Sequence, residues 1–311
     1  MAYAPRTLGR SQVAVSPLGL GCAALGGLYR TVTDEQASAL VRLAVDRGIT
    51  YFDTAPLYGH GVSERRLGSA LSGADRGDCV VSTKVGRLVV ADQTQRSELF
   101  ADAPPSRVEF DFSRDAILRS LEESLARLGL DRVDVVYLHD PEDFADQAID
   151  EAYPVLHDLR EQGVVDAIGV GTNQSGAPAR FVRETDIDVL LLAGRDTLLD
   201  RSGADDLLPL CLERGVSVVA GGVYNSGVLA DPSPGAAYDY QPAPPGVLAG
   251  AHRLAAVCAA YDVPLKAAAI QFPLRHPAVA AVLTGARDPA ELTENLAMFA
   301  YDIPGQLWTE L

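Results

Sequence analysis

Asp53 and Tyr58 stand close together in the segment Thr50-Tyr-Phe-Asp-Thr-Ala-Pro-Leu-Tyr-Gly59. Lys84 closes an apolar run, Cys79-Val-Val-Ser-Thr-Lys84, and His139 closes another, Val133-Asp-Val-Val-Tyr-Leu-His139. A phenol and an ammonium ionise near 10 and 10.4 when unperturbed, about three pH units from neutrality, so the phenol needs help to trade a proton. A cation beside it lowers its pKa, and a carboxylate beside the cation holds the cation in place. The four residues together suit proton transfer to a carbonyl oxygen or from a carbinol hydroxyl. Tyr58 would be the acid/base, Lys84 the cation that depresses its pKa, and Asp53 the carboxylate that orients Lys84. His139 would donate a hydrogen bond to the reacting oxygen. No side chain can store a hydride, so a redox reaction at this site needs a nicotinamide.

Taken singly, the residues have plainer roles. Asp53 could cap a helix, Tyr58 could pack on a loop, and His139 could be a hydrogen-bonded rim histidine. Lys84 is harder to dismiss, because it directly continues Val-Val-Ser-Thr and buried lysines are rare unless paired. Convergence of all four on one rim favours chemistry.

The elements that must bring them together are legible as eight apolar runs: Leu18–Cys22, Ile49–Thr54, Val80–Lys84, Val133–His139, Ala167–Thr172, Val189–Ala193, Val216–Gly221 and Val279–Thr284. Helical patterns alternate with them, near Asp34–Asp46, Ser63–Leu71, Arg114–Leu128, Ile149–Gln162, Ala177–Glu184, Asp205–Glu213, Gly246–Ala260 and Pro264–Arg275. Continuous apolar runs separated by helices indicate parallel strands covered on both faces. Eight such units fit an α/β fold of the (β/α)8 TIM-barrel type with a short N-terminal β-hairpin over residues 5–16. Gly19, Gly21, Gly26 and Gly27 lack GxGxxG spacing, which argues against a Rossmann site. Asp34 and Ser63 are expected N-caps, and Gly48, Gly129, Gly163 and Gly215 expected left-handed C-caps. Two connections, Gly86–Phe112 and Tyr224–Pro245, are long enough to be lids or binding loops at the strands' C-terminal ends. Trp308 is an apolar anchor in the tail from Pro304 to Leu311, which either packs on the barrel or reaches a neighbour.

With 311 residues, 48% apolar and 22% charged, the chain is expected to form one domain over residues 1–311. A net charge of −16 disfavours nucleic acid and anionic membranes as partners. Four scattered cysteines (Cys22, Cys79, Cys211, Cys258) show no metal spacing and read as reduced thiols. No metal is expected. The absence of a signal peptide or an 18-residue apolar run makes the cytosol the default, as a monomer or weak homo-oligomer.

The segment Tyr51-Phe-Asp-Thr-Ala-Pro-Leu-Tyr-Gly-His-Gly-Val-Ser-Glu-Arg-Arg-Leu-Gly68 resembles the signature of the aldo-keto reductases, and Ser82-Thr-Lys84 and Val136-Tyr-Leu-His139 resemble that family's next catalytic segments. The resemblance spans nearly the whole chain, with the motifs in family order. It implies the tetrad Asp53, Tyr58, Lys84 and His139 on a barrel that binds NAD or NADP without a Rossmann motif. Gly171-Thr-Asn173 implies Thr172 and Asn173 at the nicotinamide carboxamide. The stretch Leu192-Ala-Gly-Arg-Asp196 stands where the family usually has a glutamine for the same purpose, and Gly221 where a tyrosine often stacks on the ring. The loop from Asn225 through Gly227 to Leu229 resembles the pyrophosphate cover, and Thr284–Asn295 the adenosine site, implying Gly285, Arg287, Glu291 and Asn295. A helix N-terminus at that site would attract phosphate. The departures are similar to the branch holding D-threo-aldose, L-fucose, L-galactose and pyridoxal dehydrogenases, which implies a small sugar or aldehyde substrate and oxidation of an anomeric carbinol to a lactone. Asp196 stands where that branch often has an aromatic.

Arg87, three after Lys84, could face the pocket and bind hydroxyls or a carboxylate, but reads more readily as a solvated loop arginine. Arg287 could clamp a 2′-phosphate, hold the pyrophosphate or stack on adenine, so the choice between the two cofactors is open. Two other functions compete with the oxidoreductase: a Schiff-base aldolase or lyase using Lys84, and a non-catalytic barrel that senses the nicotinamide for a partner protein.

Overall fold

The computed structural model describes residues 4–72, 77 and 79–311. Eight strands close a parallel barrel: Leu18–Gly21 (β1), Tyr51–Asp53 (β2), Val80–Val85 (β3), Val135–His139 (β4), Ala167–Thr172 (β5), Val189–Ala193 (β6), Ser217–Gly221 (β7) and Val279–Thr284 (β8). Each pairs with the next in sequence, and β8 returns to β1. All eight expected runs therefore become barrel strands, with ends moved by at most two residues.

Strand pleating decides what faces the barrel axis. Tyr51, Val80, Val135, Tyr137, Val189, Leu191 and Leu283 pack together inside. Their neighbours Phe52, Val81, Val136, Leu138, Leu190 and Leu192 pack outward against the helices. Because side chains alternate, Asp53 shares the inner face with Tyr51. Ser82 and Lys84 share it with Val80, and His139 with Tyr137. The register aligns Asp53 with Ser82 and Lys84 with Tyr137, so the polar residues meet at one end of the barrel. The opposite end is closed by the expected hairpin, Arg6–Thr7 paired with Ala14–Val15. Its Leu8, Val13 and Val15 join the inner cluster, and Gly9 N donates to Ser217 Oγ at 2.7 Å.

Helices Asp34–Asp46 (α1), Val62–Leu71 (α2), Arg114–Leu128 (α3), Tyr153–Glu161 (α4), Pro178–Glu184 (α5), Leu207–Arg214 (α6), Pro245–Ala259 (α7), Leu265–Gln271 (α8) and Pro289–Phe299 (α9) surround the barrel. Two cap assignments are corrected. Thr33, not Asp34, caps α1 in a reciprocal capping box with Gln36. Ser63 lies within α2, buried, and its hydroxyl donates to the Cys22 carbonyl at 2.7 Å, while Gly61 holds the N-cap position. The four expected C-cap glycines all have left-handed φ, between 63° and 82°.

Both long connections carry short hairpins. Arg87–Ala91 pairs with Ser106–Phe110, and Ala237–Tyr238 pairs with Gln241–Pro242. The tail packs on the barrel side: Leu307 is buried, and the Arg275 guanidinium lies 4.7 Å over the Trp308 ring. No helix among the described residues is long and apolar enough to cross a membrane.

Candidate active site

The four expected residues come together. Lys84 is 2% exposed and Asp53 also 2%. The Lys84 ammonium donates to Asp53 Oδ2 at 2.7 Å, to the Thr54 carbonyl at 2.9 Å and to the Tyr58 hydroxyl at 3.1 Å. All three of its donors are thereby used. Asp53 Oδ1 accepts from Ser82 Oγ at 2.7 Å, and Ser82 Oγ lies 3.2 Å from the Tyr51 hydroxyl, itself 2.8 Å from that of Tyr137. The carboxylate is thus fixed from below by a chain of hydroxyls that the sequence reading did not anticipate. Period-two counting back from Asp53 and His139 would have placed Tyr51 and Tyr137 on the inner face.

Burial pushes the Lys84 pKa down, but the Asp53 charge and contact with Tyr58 overcome it and hold it above the usual lysine value. The amine is therefore a cation at neutral pH. For Tyr58, burial raises the phenol, Lys84 pulls it down and Asp53 pushes it up, with a net rise. The expected depression by Lys84 is present, but burial outweighs it, so Tyr58 rests as the protonated phenol. His139 makes an edge contact with the Tyr58 ring, with centroids 6.1 Å apart. Burial, then Lys84 and Arg87, hold its pKa well below 6.5, so it is a neutral imidazole able to donate one proton. Its Nδ1 is buried without a hydrogen-bond partner among the described residues.

The reading of Arg87 as solvated is overturned. It ion-pairs with Asp140, the residue after His139, and its guanidinium lies 4.9 Å over the Phe110 ring. The hairpin at Arg87–Ala91 directs it back over the barrel mouth instead of outward.

Beside Tyr58 and Asp53 opens a cavity of about 650 Å³. Among the residues expected to hold a dinucleotide, Asn173, Gly221, Asn225 and Gly227 line it, as do Gly285, Arg287, Glu291 and Asn295. Thr172 and Leu229 do not. The Thr172 hydroxyl donates to Glu142 and accepts from Gln174 N at 2.9 Å, and Leu229 is buried in the cluster beneath the loop. Residues not anticipated also contribute, notably Tyr29, Lys266 and Tyr240. Tyr29 and Tyr240 have left-handed backbones on loops, which no periodic pattern marks. Asn225 Oδ1 and Thr284 Oγ1 are buried without hydrogen-bond partners among the described residues, and both residues line the cavity. Buried groups left unpaired point to a polar ligand, and the glycine-lined floor leaves room for one. These residues fit a nicotinamide dinucleotide.

The expected phosphate-attracting helix end is corrected. Asp288 caps α9, and its carboxylate already takes the amides of Ala290 and Glu291, each at 3.0 Å. Glu291 takes the Arg287 amide at 2.9 Å and ion-pairs with its guanidinium. Lys266 is paired with Glu294 at 2.9 Å.

Comparison with known proteins agrees with this geometry. The model of the Aldo/keto reductase family matches residues 17–311. The chain is 45% identical over 308 residues to a D-threo-aldose 1-dehydrogenase of Pseudomonas sp, covering 96% of this chain and 94% of the relative. It is 39% identical over 330 residues to a pyridoxal 4-dehydrogenase of Microbacterium luteolum, covering 98% and 96%. The holo form of an aldo-keto reductase from Bacillus halodurans superposes with a TM-score of 0.79 at 28% identity, covering 99% of this chain and 94% of the other.

Proposed function

The chain belongs to the aldo/keto reductase family, and on that premise we propose that it oxidises the anomeric carbinol of an aldose, or interconverts an aldehyde and its alcohol, with NAD(H) and with Tyr58 carrying the proton. The observation that carries this reading is the contact of the Tyr58 hydroxyl with Lys84 Nζ at 3.1 Å, Lys84 being locked in turn to Asp53 at 2.7 Å. A nicotinamide bound in the cavity supplies the hydride acceptor for oxidation or the donor for reduction. In reduction, Tyr58 gives its proton to the substrate oxygen, and Lys84 stabilises the phenolate that forms. Neutral His139 donates a hydrogen bond to the same oxygen as its charge develops. In oxidation, Tyr58 receives the hydroxyl proton. The names of the relatives at 45% and 39% identity support an aldose or aldehyde substrate.

The charges around the adenosine end support NAD(H) over NADP(H). Both cations lining the cavity there are already paired, and the helix amides are taken by Asp288. A 2′-phosphate would meet Glu291 and Glu294, whose cationic partners among the described residues, Arg287, Arg30 and Lys266, are already committed to them. The lyase alternative loses support, because a Schiff base requires a neutral amine and Lys84 is a cation with three hydrogen bonds. The completeness of the proton-transfer set favours turnover over a sensing role.

Initial rates followed at 340 nm test the reading, using D-arabinose, L-fucose, L-galactose and pyridoxal, each with NAD+ and NADP+. Turnover of at least one with NAD+ is expected. No turnover of any with either cofactor, despite measurable cofactor binding, contradicts it and favours the sensing role.

A further inference from the structure

We propose that Arg87 and Asp140 form a polar clamp that binds substrate hydroxyls beside the reacting carbon, so that the site selects polyhydroxylated aldehydes and hemiacetals over plain ones. The proposal rests on the oxidoreductase reading above and names the substrate chemistry of that same site. Asp140 directly follows His139, and its carboxylate Oδ2 lies 3.7 Å from His139 Nε2 while accepting from Arg87 Nη1. After burial, Lys84 and Asp53, it also acts on the Tyr58 phenol. The pair is therefore within reach of the tetrad. Yet neither residue lines the cavity that fits the dinucleotide, whereas Tyr58 does. A polar pair that touches the tetrad outside the cofactor cavity is placed for the substrate.

Three observations show that the pair is held in place with capacity to spare. Asp140 adopts a left-handed backbone, φ 46°, while its amide is tied to the Gly171 carbonyl at 2.8 Å. Such conformations are strained for a residue with a side chain and gather at functional sites. The Arg87 guanidinium is seated over Phe110 at 4.9 Å. Despite the ion pair, Arg87 Nε is buried without a hydrogen-bond partner, and Asp140 Oδ1 enters no hydrogen bond among the described residues. Burial raises the Asp140 pKa against the pull of Arg87, so a further donor would stabilise the carboxylate.

The chemistry left over identifies the ligand class. The unpaired N–H donor on Arg87 and the Asp140 carboxylate oxygen that enters no hydrogen bond among the described residues match a hydroxyl, or two neighbouring hydroxyls, each of which both donates and accepts. Because Asp140 neutralises Arg87, the pair has no net charge with which to favour an anionic substrate. A plain aldehyde offers neither group a hydroxyl and leaves both unpaired. Sites built to bond a hydroxyl discriminate strongly against analogues that lack it.

The test compares D-glyceraldehyde with propanal, which share three carbons and differ only in hydroxyls, in wild type, Asp140→Asn and Arg87→Gln. Reduction is followed with NADH. Asn tolerates a left-handed backbone, and circular dichroism with melting checks that both variants fold. The ratio of kcat/KM for glyceraldehyde over propanal is expected to fall about 10–100-fold in each variant, the range for losing a hydrogen bond to a charged group. The loss should sit mainly in KM for glyceraldehyde. Equal losses on both substrates would overturn the clamp and leave the pair a role in positioning His139. An unchanged ratio in either folded variant would also overturn it. Wild-type protein that turns over neither compound, nor any of the sugars above, would overturn the oxidoreductase reading and the clamp with it.

Discussion

The Tyr58 phenol sits between two opposing influences, and their balance explains why three further residues are needed. Burial alone makes its proton harder to lose, while a cation 3.1 Å away makes it easier. The cation is itself expensive to bury, and the Asp53 carboxylate with the Thr54 carbonyl offsets that desolvation. Removing Asp53 or Lys84 would leave its partner as an uncompensated buried charge, typically about 3–5 kcal/mol. Loss of activity in those variants would therefore mix chemistry with stability. At the adenosine end, single charges decide a different question. Glu291→Gln removes the carboxylate paired with Arg287 while keeping the side chain's length. Both groups are about one-third exposed, so a modest effect is expected: NADP+ should bind about 3–10-fold more tightly, with NAD+ affinity changed less. Quenching of intrinsic fluorescence on titration measures both constants. Unchanged NADP+ affinity would contradict the assignment of Glu291 as the group that disfavours the 2′-phosphate.

At the scale of elements, the tetrad depends on where strands end and on how closely the loops beyond them approach. The 3₁₀ segment Cys22–Gly26 after β1 packs backbone to backbone against Tyr58 and Gly59. A Cβ on Gly26 would lie 2.5 Å from Gly59 N and 2.5 Å from the Tyr58 carbonyl carbon. Gly26→Ala therefore must push the Tyr58 loop away, at about 1–3 kcal/mol in stability. A displacement of about 1 Å at the reacting group can lower turnover about 100-fold. A folded Gly26→Ala protein with normal kcat would show that the loop tolerates the shift. The barrel strands were legible because apolar runs with strand residues and flanking glycines repeat along the chain. The inner face was open to parity counting from Asp53, Lys84 and His139, although Tyr51 and Tyr137 were not picked out by it. What was not legible came from long-range pairing. Arg87–Ala91 meets Ser106–Phe110 across a loop without a short turn signature, so Arg87 read as solvated when it is ion-paired at the mouth. The α1 cap was missed for a different, local reason: Thr33 and Asp34 are both good capping residues, and the Thr33-x-x-Gln36 spacing of a capping box is what singles out Thr33.

Over the whole molecule, the barrel separates stability from chemistry by end. The N-terminal hairpin and the inner aliphatic residues close one mouth, while the polar residues are gathered at the other. Asp196, after β6, is 5% exposed, and its Oδ2 has no hydrogen-bond partner among the described residues. Burial pushes its pKa up to about 6 from 3.8. A carboxyl with a raised folded pKa destabilises the fold when ionised. The penalty is therefore present above about pH 6 and is relieved as pH falls towards the unfolded value. Asp196→Asn should stabilise the protein by about 1–3 kcal/mol at pH 8, with the gain vanishing near pH 4. Melting temperatures at both pH values measure it, and an equal gain at both would contradict the ionic origin. The cavity's overall place beside Tyr58 was foreseeable from the motifs in chain order. The contributions of Tyr29, Lys266 and Tyr240 were not, because they depend on how loops fold over the rim.

The most direct test of the central claim is Tyr58→Phe, which keeps the ring and its packing and deletes only the hydroxyl. The variant's turnover of an aldose with NAD+ is compared with its NAD+ affinity from fluorescence titration. Turnover is expected to fall by at least about 10²–10⁴-fold, the span of general acid–base catalysis, while NAD+ affinity stays within about threefold of wild type, about 0.6 kcal/mol. Turnover within tenfold of wild type in a variant that binds NAD+ normally would contradict the assignment of the proton to Tyr58.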